Sequence, residues 1–397
     1  MIKCVDLFCG LGGLTHGLIK GGVHVVAGFD IDVQCRFPYE KNNSAQFIEK
    51  DVRDITGETL RELWGDDTHT LLAGCAPCQP FSTYSRRLRK SRADAKWELI
   101  ADFGRLVSEA QPDFVTMENV PQILDHRVFV EFRSALKGYH VWYDTIECSR
   151  YGVPQTRKRL VLLASRLGPI ALAAPTAIDE SGTSVRAAIR HLRSLTAGAS
   201  DPYDRLHSAC KLSALNLRRI RASKPGGTWR DWPPDLVAKC HQKRSGDTYP
   251  SVYGRMEWDA PSPTITTQCF GYGNGRFGHP QQDRAITLRE AAILQTFPDS
   301  YRFLRDGERV CFYVLGRLIG NAVPVRLGEV VAESFFQHLR ELPKKSVVRM
   351  SHGATMARVD IVRKESSQQP TRRFSSAPKK KLDKATAGKS QAKNTRK

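Results

Sequence analysis

Cys78 is the residue of this sequence whose surroundings point most directly to covalent chemistry. It belongs to residues 74–82, which read Gly-Cys-Ala-Pro-Cys-Gln-Pro-Phe-Ser and follow an apolar run over 70–73. The run predicts a short buried strand, and the prolines at 77 and 80 predict a stiff loop after it. Open α/β sheets bind ligands at such strand ends. A cysteine held there can act as a nucleophile when neighbouring donors or cations stabilise its thiolate.

The pair Cys75 and Cys78 allows other interpretations, because together they form a C-x-x-C. It could be a redox dithiol, half of a zinc site, or a buried pair without chemistry. The redox hypothesis expects a thioredoxin-like chain, which this one does not resemble. The zinc hypothesis needs a second spaced pair, and Cys240 and His241 are adjacent. We therefore favour the nucleophile and predict no metal site.

Three further charged residues are placed to join Cys78. Glu118 follows the predicted strand 114–117, although it could equally cap the next segment. Arg157 and Arg159 stand two residues apart, so they share one face of an extended segment. Two guanidiniums directed at one crevice favour an anion or a polarised carbonyl. The alternative is a basic edge strand exposed to solvent.

The elements that must position these residues begin at the amino end of the chain. Residues 2–8 predict a strand, residues 9–13 a glycine-rich turn and residues 14–19 a helix. A second strand over 23–29 ends at Asp30, about 20 residues after the turn, where an acid can hold ribose hydroxyls. Asp30 or Asp32 could instead cap a helix. The pattern predicts an α/β fold with a doubly wound, Rossmann-like sheet, and no P-loop because no Gly-Lys-Ser/Thr follows.

Composition bounds the class of protein. The 397 residues are 41% hydrophobic and 26% charged, which is typical of a globular protein with a sizeable core. No apolar run is long enough to span a membrane, and the first residues predict a strand rather than a signal peptide. The ten scattered cysteines fit a reducing compartment. The net charge of +20 suggests a polyanionic partner, most often nucleic acid.

The chain divides into four predicted parts. Residues 1–167 form a catalytic and cofactor-binding domain. Residues 168–263 have little periodicity and mix aromatic with basic residues, which predicts a second, smaller recognition domain. Residues 264–343 return to complete the first domain, beginning with a possible strand over 264–268. Residues 344–397 form a basic tail that we expect to be disordered and that either binds nucleic acid or only adds solubility.

Taken in order, these segments resemble the cytosine-C5 DNA methyltransferases. The resemblance rests on residues 6–13 (Asp-Leu-Phe-Cys-Gly-Leu-Gly-Gly), 77–82 (Pro-Cys-Gln-Pro-Phe-Ser), 118–120 (Glu-Asn-Val), 155–159 (Gln-Thr-Arg-Lys-Arg) and 320–323 (Gly-Asn-Ala-Val). It covers nearly all of residues 1–340 and leaves out the tail. Two departures are minor: Cys75 lies where the family usually has glycine, and Asp30 lies where glutamate is more usual.

The resemblance implies an S-adenosylmethionine-dependent methyl transfer to a cytosine flipped out of duplex DNA. Cys78 would add to C6, and C5 would attack the methyl group of the cofactor. Glu118 would hold N3 and the exocyclic amine, and Arg159 the O2 side. Arg157 would orient the Cys78 loop or a phosphate. Loss of the C5 proton and expulsion of Cys78 would finish the reaction.

The resemblance also implies a cofactor pocket, and the composition suggests a DNA-contacting set. The pocket would be formed by Phe8, Gly10, Leu11, Gly12, Asp30, Ile31, Asp51, Val52, Pro77, Leu99 and Asn321. The DNA-contacting residues would be Ser82, Arg86, Arg87, Arg89, Arg230, Lys243, Arg244 and Arg255.

The expected partner is double-stranded DNA. The enzyme would be either one half of a restriction–modification pair, with a cognate restriction endonuclease as its functional partner, or a solitary bacterial or phage methyltransferase. We expect a cytoplasmic, nucleoid-associated monomer with no membrane contact. Two alternatives stay open. One is a transfer-RNA cytosine-C5 methyltransferase, and the other is a non-catalytic DNA-binding regulator on the same fold.

Overall fold

Nine short strands and ten α-helices make up the part of the chain that the computed structural model describes. The described residues are 1–66, 69–77, 94–175, 180–243, 246 and 249–342. The strands, in chain order, are β1 (Ile2–Leu7), β2 (His24–Asp30), β3 (Gln46–Glu49), β4 (His69–Gly74), β5 (Phe114–Asn119), β6 (His140–Glu147), β7 (Gln155–Thr156), β8 (Lys158–Ser165) and β9 (Ser262–Pro263). The helices are α1 (Gly13–Lys20), α2 (Arg36–Asn42), α3 (Gly57–Trp64), α4 (Asp94–Ala110), α5 (Arg127–Ala135), α6 (Val185–Ile189), α7 (Ala214–Ala222), α8 (Leu288–Leu294), α9 (Phe312–Asn321) and α10 (Val325–Glu341).

Seven strands form one sheet in the order β3-β2-β1-β4-β5-β8-β6. The first five strands of that order run parallel, and β8 runs antiparallel to both of its neighbours. The chain moves outward from β1 to β3 and then returns to place β4 on the other side of β1. The strand order therefore reverses between β1 and β4, and the crevice at their carboxyl ends is the expected ligand site. The doubly wound α/β prediction is confirmed.

Both faces of the sheet are covered by helices, which explains why its central strands, β1, β4, β5 and β8, are largely buried. One face packs against α3, α4 and α5 through residues such as Leu60, Phe103 and Phe129. The other packs against α1 and α10 through residues such as Leu18 and Phe335. No helix among the described residues is long and apolar enough to cross a membrane.

A separate small hydrophobic core lies mainly within residues 220–252. Its members are aromatic or aliphatic and well buried: Ile220, Trp229, Trp232, Leu236, Val252, Tyr272 and Ala285. The last two follow residue 263, so this core draws on both sides of the predicted boundary. The four-part division of the chain stays a prediction.

The strand expected over residues 264–268 is wrong. Only Ser262 and Pro263 have strand geometry, and they pair with β7. The backbone N–H of Ile265 instead donates to the buried side chain of Gln155, at 2.8 Å. A side chain has therefore taken the hydrogen bond that a neighbouring strand would have supplied.

Candidate active site

The ends of β4 and β5 bring Cys75 and Glu118 side by side. The two strands are parallel, and Gly74 pairs with Met117, so the next residue on each strand lies at the same edge. Cys75 Sγ lies 2.8 Å from Glu118 Oε2. Because a carboxylate only accepts hydrogen bonds, the thiol is the donor of this contact.

Glu118 also forms an ion pair with Arg159. The neighbouring strand β8 places Val161 opposite Glu118, and Arg159 lies two residues earlier on the same face of that strand. Arg159 Nε is 2.9 Å from Glu118 Oε1, and the side chains are only 13% and 7% exposed. The pair is largely shielded from water, so its charges interact strongly. Strand register therefore brings Glu118 and Arg159 together at one edge of the sheet.

Arg157 is buried beside this pair but bonds to the backbone rather than to Glu118. Its guanidinium donates to the carbonyl of Ile265 at 3.4 Å and to that of Ala322 at 3.3 Å. Burial, followed by the charge of Arg159, lowers the pKa of Arg157 to about 10. The side chain stays charged at neutral pH and ties the site to the segment that returns after residue 263.

The turn that leads to the predicted nucleophile is held by Asn119. Its amide Nδ2 donates to the carbonyl of Ala76 at 3.2 Å, and its Oδ1 accepts from the N–H of Val120 at 2.8 Å. Cys78 itself lies outside the described residues. Sequence reasoning missed the roles of Asn119 and Cys75, although Asn119 directly follows Glu118 and so could have been suspected.

The glycine-rich turn after β1 lies against Asp30 at the end of β2. Phe8, Gly10 and Gly12 have φ values of 57°, 52° and 92°, a region that glycine enters easily and other residues rarely. The N–H of Gly10 donates to one oxygen of Asp30 and the N–H of Asp32 to the other, both at 2.9 Å. Burial raises the pKa of Asp30, and these two donors oppose that rise.

Asp32, rather than Asp30, takes the capping position. Its carboxylate accepts from the N–H of Gln34 at 3.1 Å. It also pairs with Arg317 of α9 at 2.6 Å, and Arg317 donates to the side chain of Gln34 at 2.7 Å. This leaves Asp30 to face the turn, and it links the end of β2 to the helix that ends at Asn321.

An apolar side chain is exposed beside this carboxylate, which suits a nucleoside. Ile31 is 67% exposed, and a hydrophobic surface of this kind can pack against a purine ring. The carboxylate of Asp51 is held by Arg53, which donates to it at 2.6 Å and 3.0 Å, and this contact lowers the pKa of Asp51. Among the other predicted pocket residues, Leu11 and Val52 are buried, Pro77 and Leu99 are half-buried and Asn321 is exposed.

Of the predicted DNA-contacting residues, Arg230 and Lys243 are exposed. The guanidinium of Arg230 lies 5.4 Å from the ring centre of Trp229. The others, apart from Arg255, lie outside the described residues: Ser82, Arg86, Arg87, Arg89 and Arg244.

Arg255 is buried, so it cannot serve as the surface contact that its sequence neighbourhood suggested. It is 5% exposed. Its guanidinium donates to the carbonyls of Ile220, Ser223, His279 and Gln282, at 2.7 to 3.1 Å, and pairs with Asp283. All of its nitrogens are occupied within the fold, which makes Arg255 a structural residue.

Comparisons with known proteins match most of this chain. The model of the family described as C-5 cytosine-specific DNA methylase matches residues 2–337. The Type II methylase M.HgiDII of Herpetosiphon aurantiacus is 50% identical over 351 residues, which cover 87% of this chain and 98% of that protein. The Type II methyltransferase M1.BsuMI of Bacillus subtilis is 32% identical and covers 83% of this chain and 79% of its own length. The solved structure of a prophage-encoded DNA modification methyltransferase of E. coli superposes with a TM-score of 0.64, at 23% identity over 86% of this chain and 100% of that one.

Proposed function

Since the chain belongs to the C-5 cytosine-specific DNA methylase family and is a DNA cytosine methyltransferase, we propose that Cys78 is its nucleophile and Glu118 its ring-holding acid. The proposal rests on the contact between Glu118 and Arg159 at the carboxyl edge of the sheet, 2.9 Å long and largely shielded from water. A flipped cytosine offers a ring nitrogen and an amine to the carboxylate, and a carbonyl oxygen to the guanidinium. The two side chains therefore match the hydrogen-bonding edge of the base.

Each residue then has a distinct task. The thiolate of Cys78 adds to C6 of the base, which must first leave the duplex stack. Glu118 holds the ring nitrogen and shares a proton with it as negative charge develops. Arg159 binds the O2 side, and its charge favours the thiolate. Arg157 supports the site from within, through carbonyls of the returning segment.

We propose S-adenosylmethionine as the methyl donor. The residues around the β1 turn fit its adenosine part, because the fixed carboxylate of Asp30 faces a glycine turn and Ile31 offers an exposed apolar side chain. Asp30 would hold the ribose hydroxyls, and Asp51 and Val52 would meet the adenine edge. S-adenosylmethionine, when bound, supplies an activated methyl group, so no metal is required.

The Type II relatives support a modification enzyme whose functional partner is a cognate restriction endonuclease. We propose that target reading belongs to residues 168–263, with Arg230 and Lys243 among the contacts. The match to a family described as DNA methylase favours DNA over the transfer-RNA alternative, and the presence of Cys78, Glu118 and both arginines disfavours a non-catalytic regulator. The cytoplasmic, nucleoid-associated and monomeric states stay proposals.

The test compares the wild type with Cys78→Ala and Glu118→Gln. Bisulfite sequencing of genomic DNA from expressing cells should show protected cytosines in one short sequence for the wild type. Transfer of radiolabelled methyl groups to a duplex carrying that sequence should fall by about 100-fold or more in both variants, since each loses a reacting group.

Cys210→Ala is the control, because Cys210 is half-buried and lines a different cavity, together with Ala209 and Phe312. It should methylate like the wild type. Undiminished transfer by Cys78→Ala would refute the proposed nucleophile. Label in transfer RNA but not in DNA would instead support the RNA alternative.

A further inference from the structure

Cys75 lies directly after β4, between Gly74 and the turn to Cys78. Its thiol reaches across to the end of β5, where its Sγ lies 2.8 Å from Glu118 Oε2.

The backbone fixes this contact from both sides. The N–H of Cys75 donates to the carbonyl of Leu7 at 3.3 Å, and the pairing of Gly74 with Met117 sets the relative height of the two strands. The bond from Asn119 to the carbonyl of Ala76 locks the next residue as well. The Cys75 side chain is therefore held in register with Glu118 rather than meeting it by chance.

The two oxygens of Glu118 are thus contacted by different groups. Arg159 forms an ion pair at Oε1, which accepts no hydrogen bond from the described residues, and Cys75 donates to Oε2. Glu118 is only 6% exposed, and a buried carboxylate oxygen without a donor is costly. A carboxylate oxygen has two lone pairs, so Oε2 can keep the thiol hydrogen bond while a cytosine amine donates to it.

We propose that Cys75 is a positioning residue that orients the carboxylate of Glu118 toward the flipped cytosine through an S–H···Oε2 hydrogen bond. This inference rests on the proposed role of Glu118. The thiol keeps its proton and forms no covalent bond. What matters is the donor, so a hydroxyl at the same position should replace it.

The experiment compares Cys75→Ser, which keeps a donor, with Cys75→Ala, which has nearly the volume of serine but no donor. Turnover is measured under reducing conditions on duplex DNA carrying the target sequence. We expect Cys75→Ser to stay within about twofold of the wild type and the kcat of Cys75→Ala to fall about tenfold. The KM for S-adenosylmethionine should not change, because Cys75 acts on the base side of the site.

A packing role predicts the opposite order, because alanine suits an apolar environment better than serine does. Equal or higher turnover by Cys75→Ala than by Cys75→Ser would therefore overturn the proposal. Loss of turnover in both variants would overturn it too, since it would mean that the thiol itself is required. Calorimetric titration with S-adenosylmethionine counts the folded sites, and kcat is expressed per folded site so that partial misfolding is not mistaken for lost positioning.

Glu118→Gln, assayed in parallel, separates the two proposals. Full turnover by Glu118→Gln would refute the role of Glu118, and the Cys75 proposal with it. Loss of turnover by Glu118→Gln with unchanged turnover by Cys75→Ala would refute only the Cys75 proposal. Cys210→Ala again serves as the control for removing a half-buried thiol elsewhere.

Discussion

Asp6 illustrates how burial changes a single residue. Its side chain is 1% exposed within β1. One carboxylate oxygen accepts from the hydroxyl of Thr15 at 2.6 Å, and the other has no hydrogen-bond partner among the described residues. Burial raises the pKa of Asp6 to about 7; the Thr15 hydrogen bond opposes the rise and the charge of Asp30 adds to it. The carboxyl beside the glycine turn is thus partly protonated at neutral pH.

We expect Asp6→Asn to change the pH dependence of folding. A raised pKa means that the contribution of Asp6 to stability is fully present below its unfolded pKa near 3.8 and is lost as pH rises through about 7. Asparagine still accepts from Thr15 and does not ionise. Between pH 5 and 8 the free energy of unfolding of Asp6→Asn should therefore gain about 2 kcal/mol relative to the wild type.

Urea denaturation without cofactor at both pH values measures this difference. Asp54→Asn is the control, because Asp54 is exposed, and its difference from the wild type should stay constant. A constant difference for Asp6→Asn as well would contradict the expected ionisation of Asp6.

At the scale of the element, α8 shows how one short helix supports the site. Thr287 and Glu290 form a reciprocal capping box at its start. Glu290 also takes two hydrogen bonds from the buried Arg284, at 2.7 and 2.8 Å. After the helix, Gln295 donates to the carbonyls of Ile319 and Ala322. The helix thereby holds the end of α9, next to the predicted cofactor residue Asn321.

We expect Glu290→Gln to destabilise the fold by about 3 kcal/mol at pH 7, because it leaves the Arg284 charge buried without its partner. Burial alone would raise the pKa of Glu290, but the hydrogen bonds and charge of Arg284 outweigh it and lower the pKa to about 2. The stability that this pair contributes is present above about pH 4.5 and is lost as pH falls toward 2. The difference in free energy of unfolding between the wild type and Glu290→Gln should therefore become smaller as pH falls through this range.

Thermal unfolding at pH 7 and pH 3.5 would test this. The control is Glu131→Gln, which removes an exposed i,i+4 pair with Arg127 and should cost less than about 1 kcal/mol. If both variants lose the same stability at pH 7, the buried pair stabilises the fold no more than the exposed pair does.

At the scale of the whole folded unit, the first and last helices pack against each other on one face of the sheet. A Cβ on Gly17 of α1 would lie 2.1 Å from the carbonyl oxygen of Val325, and one on Gly328 of α10 would lie 2.8 Å from that of Leu14. Real side chains never approach backbone so closely. The carboxyl-terminal helix α10 is therefore part of the same core as the amino-terminal strand and helix.

Gly17→Ala should destabilise the fold by about 2 kcal/mol or more, because its methyl group meets backbone that cannot rotate away. Gly104→Ala in α4 is the matched control: its methyl group would lie 3.2 Å from the Ala135 side chain and 3.6 Å from the Phe132 ring, with no backbone atom of another described element closer than 3.8 Å, and alanine favours helix. Urea denaturation should separate the two variants by more than about 1 kcal/mol. If they are equally stable, α1 and α10 do not pack as closely as described.

Local sequence patterns were enough to predict the fold class of this protein. They are the alternation over residues 2–8, the glycine turn after them and the spacing to Asp30, and each depends only on nearby residues. The doubly wound fold predicted from them is confirmed. The order of the five short motifs was enough to identify the family and the methyl-transfer activity on DNA, which the family match and relatives confirm. The individual site residues stay predictions.

Tertiary structure decided which residues meet and which are covered. Cys75, Glu118 and Arg159 are distant in sequence, and only the register of β4, β5 and β8 brings their side chains into contact. The aromatic neighbours of Arg255 in the sequence suggested an exposed basic residue. Packing instead buries its side chain, and its nitrogens donate to groups within the fold. Burial and strand register depend on segments that are far apart in the chain, whereas periodicity and turn chemistry are set by neighbours.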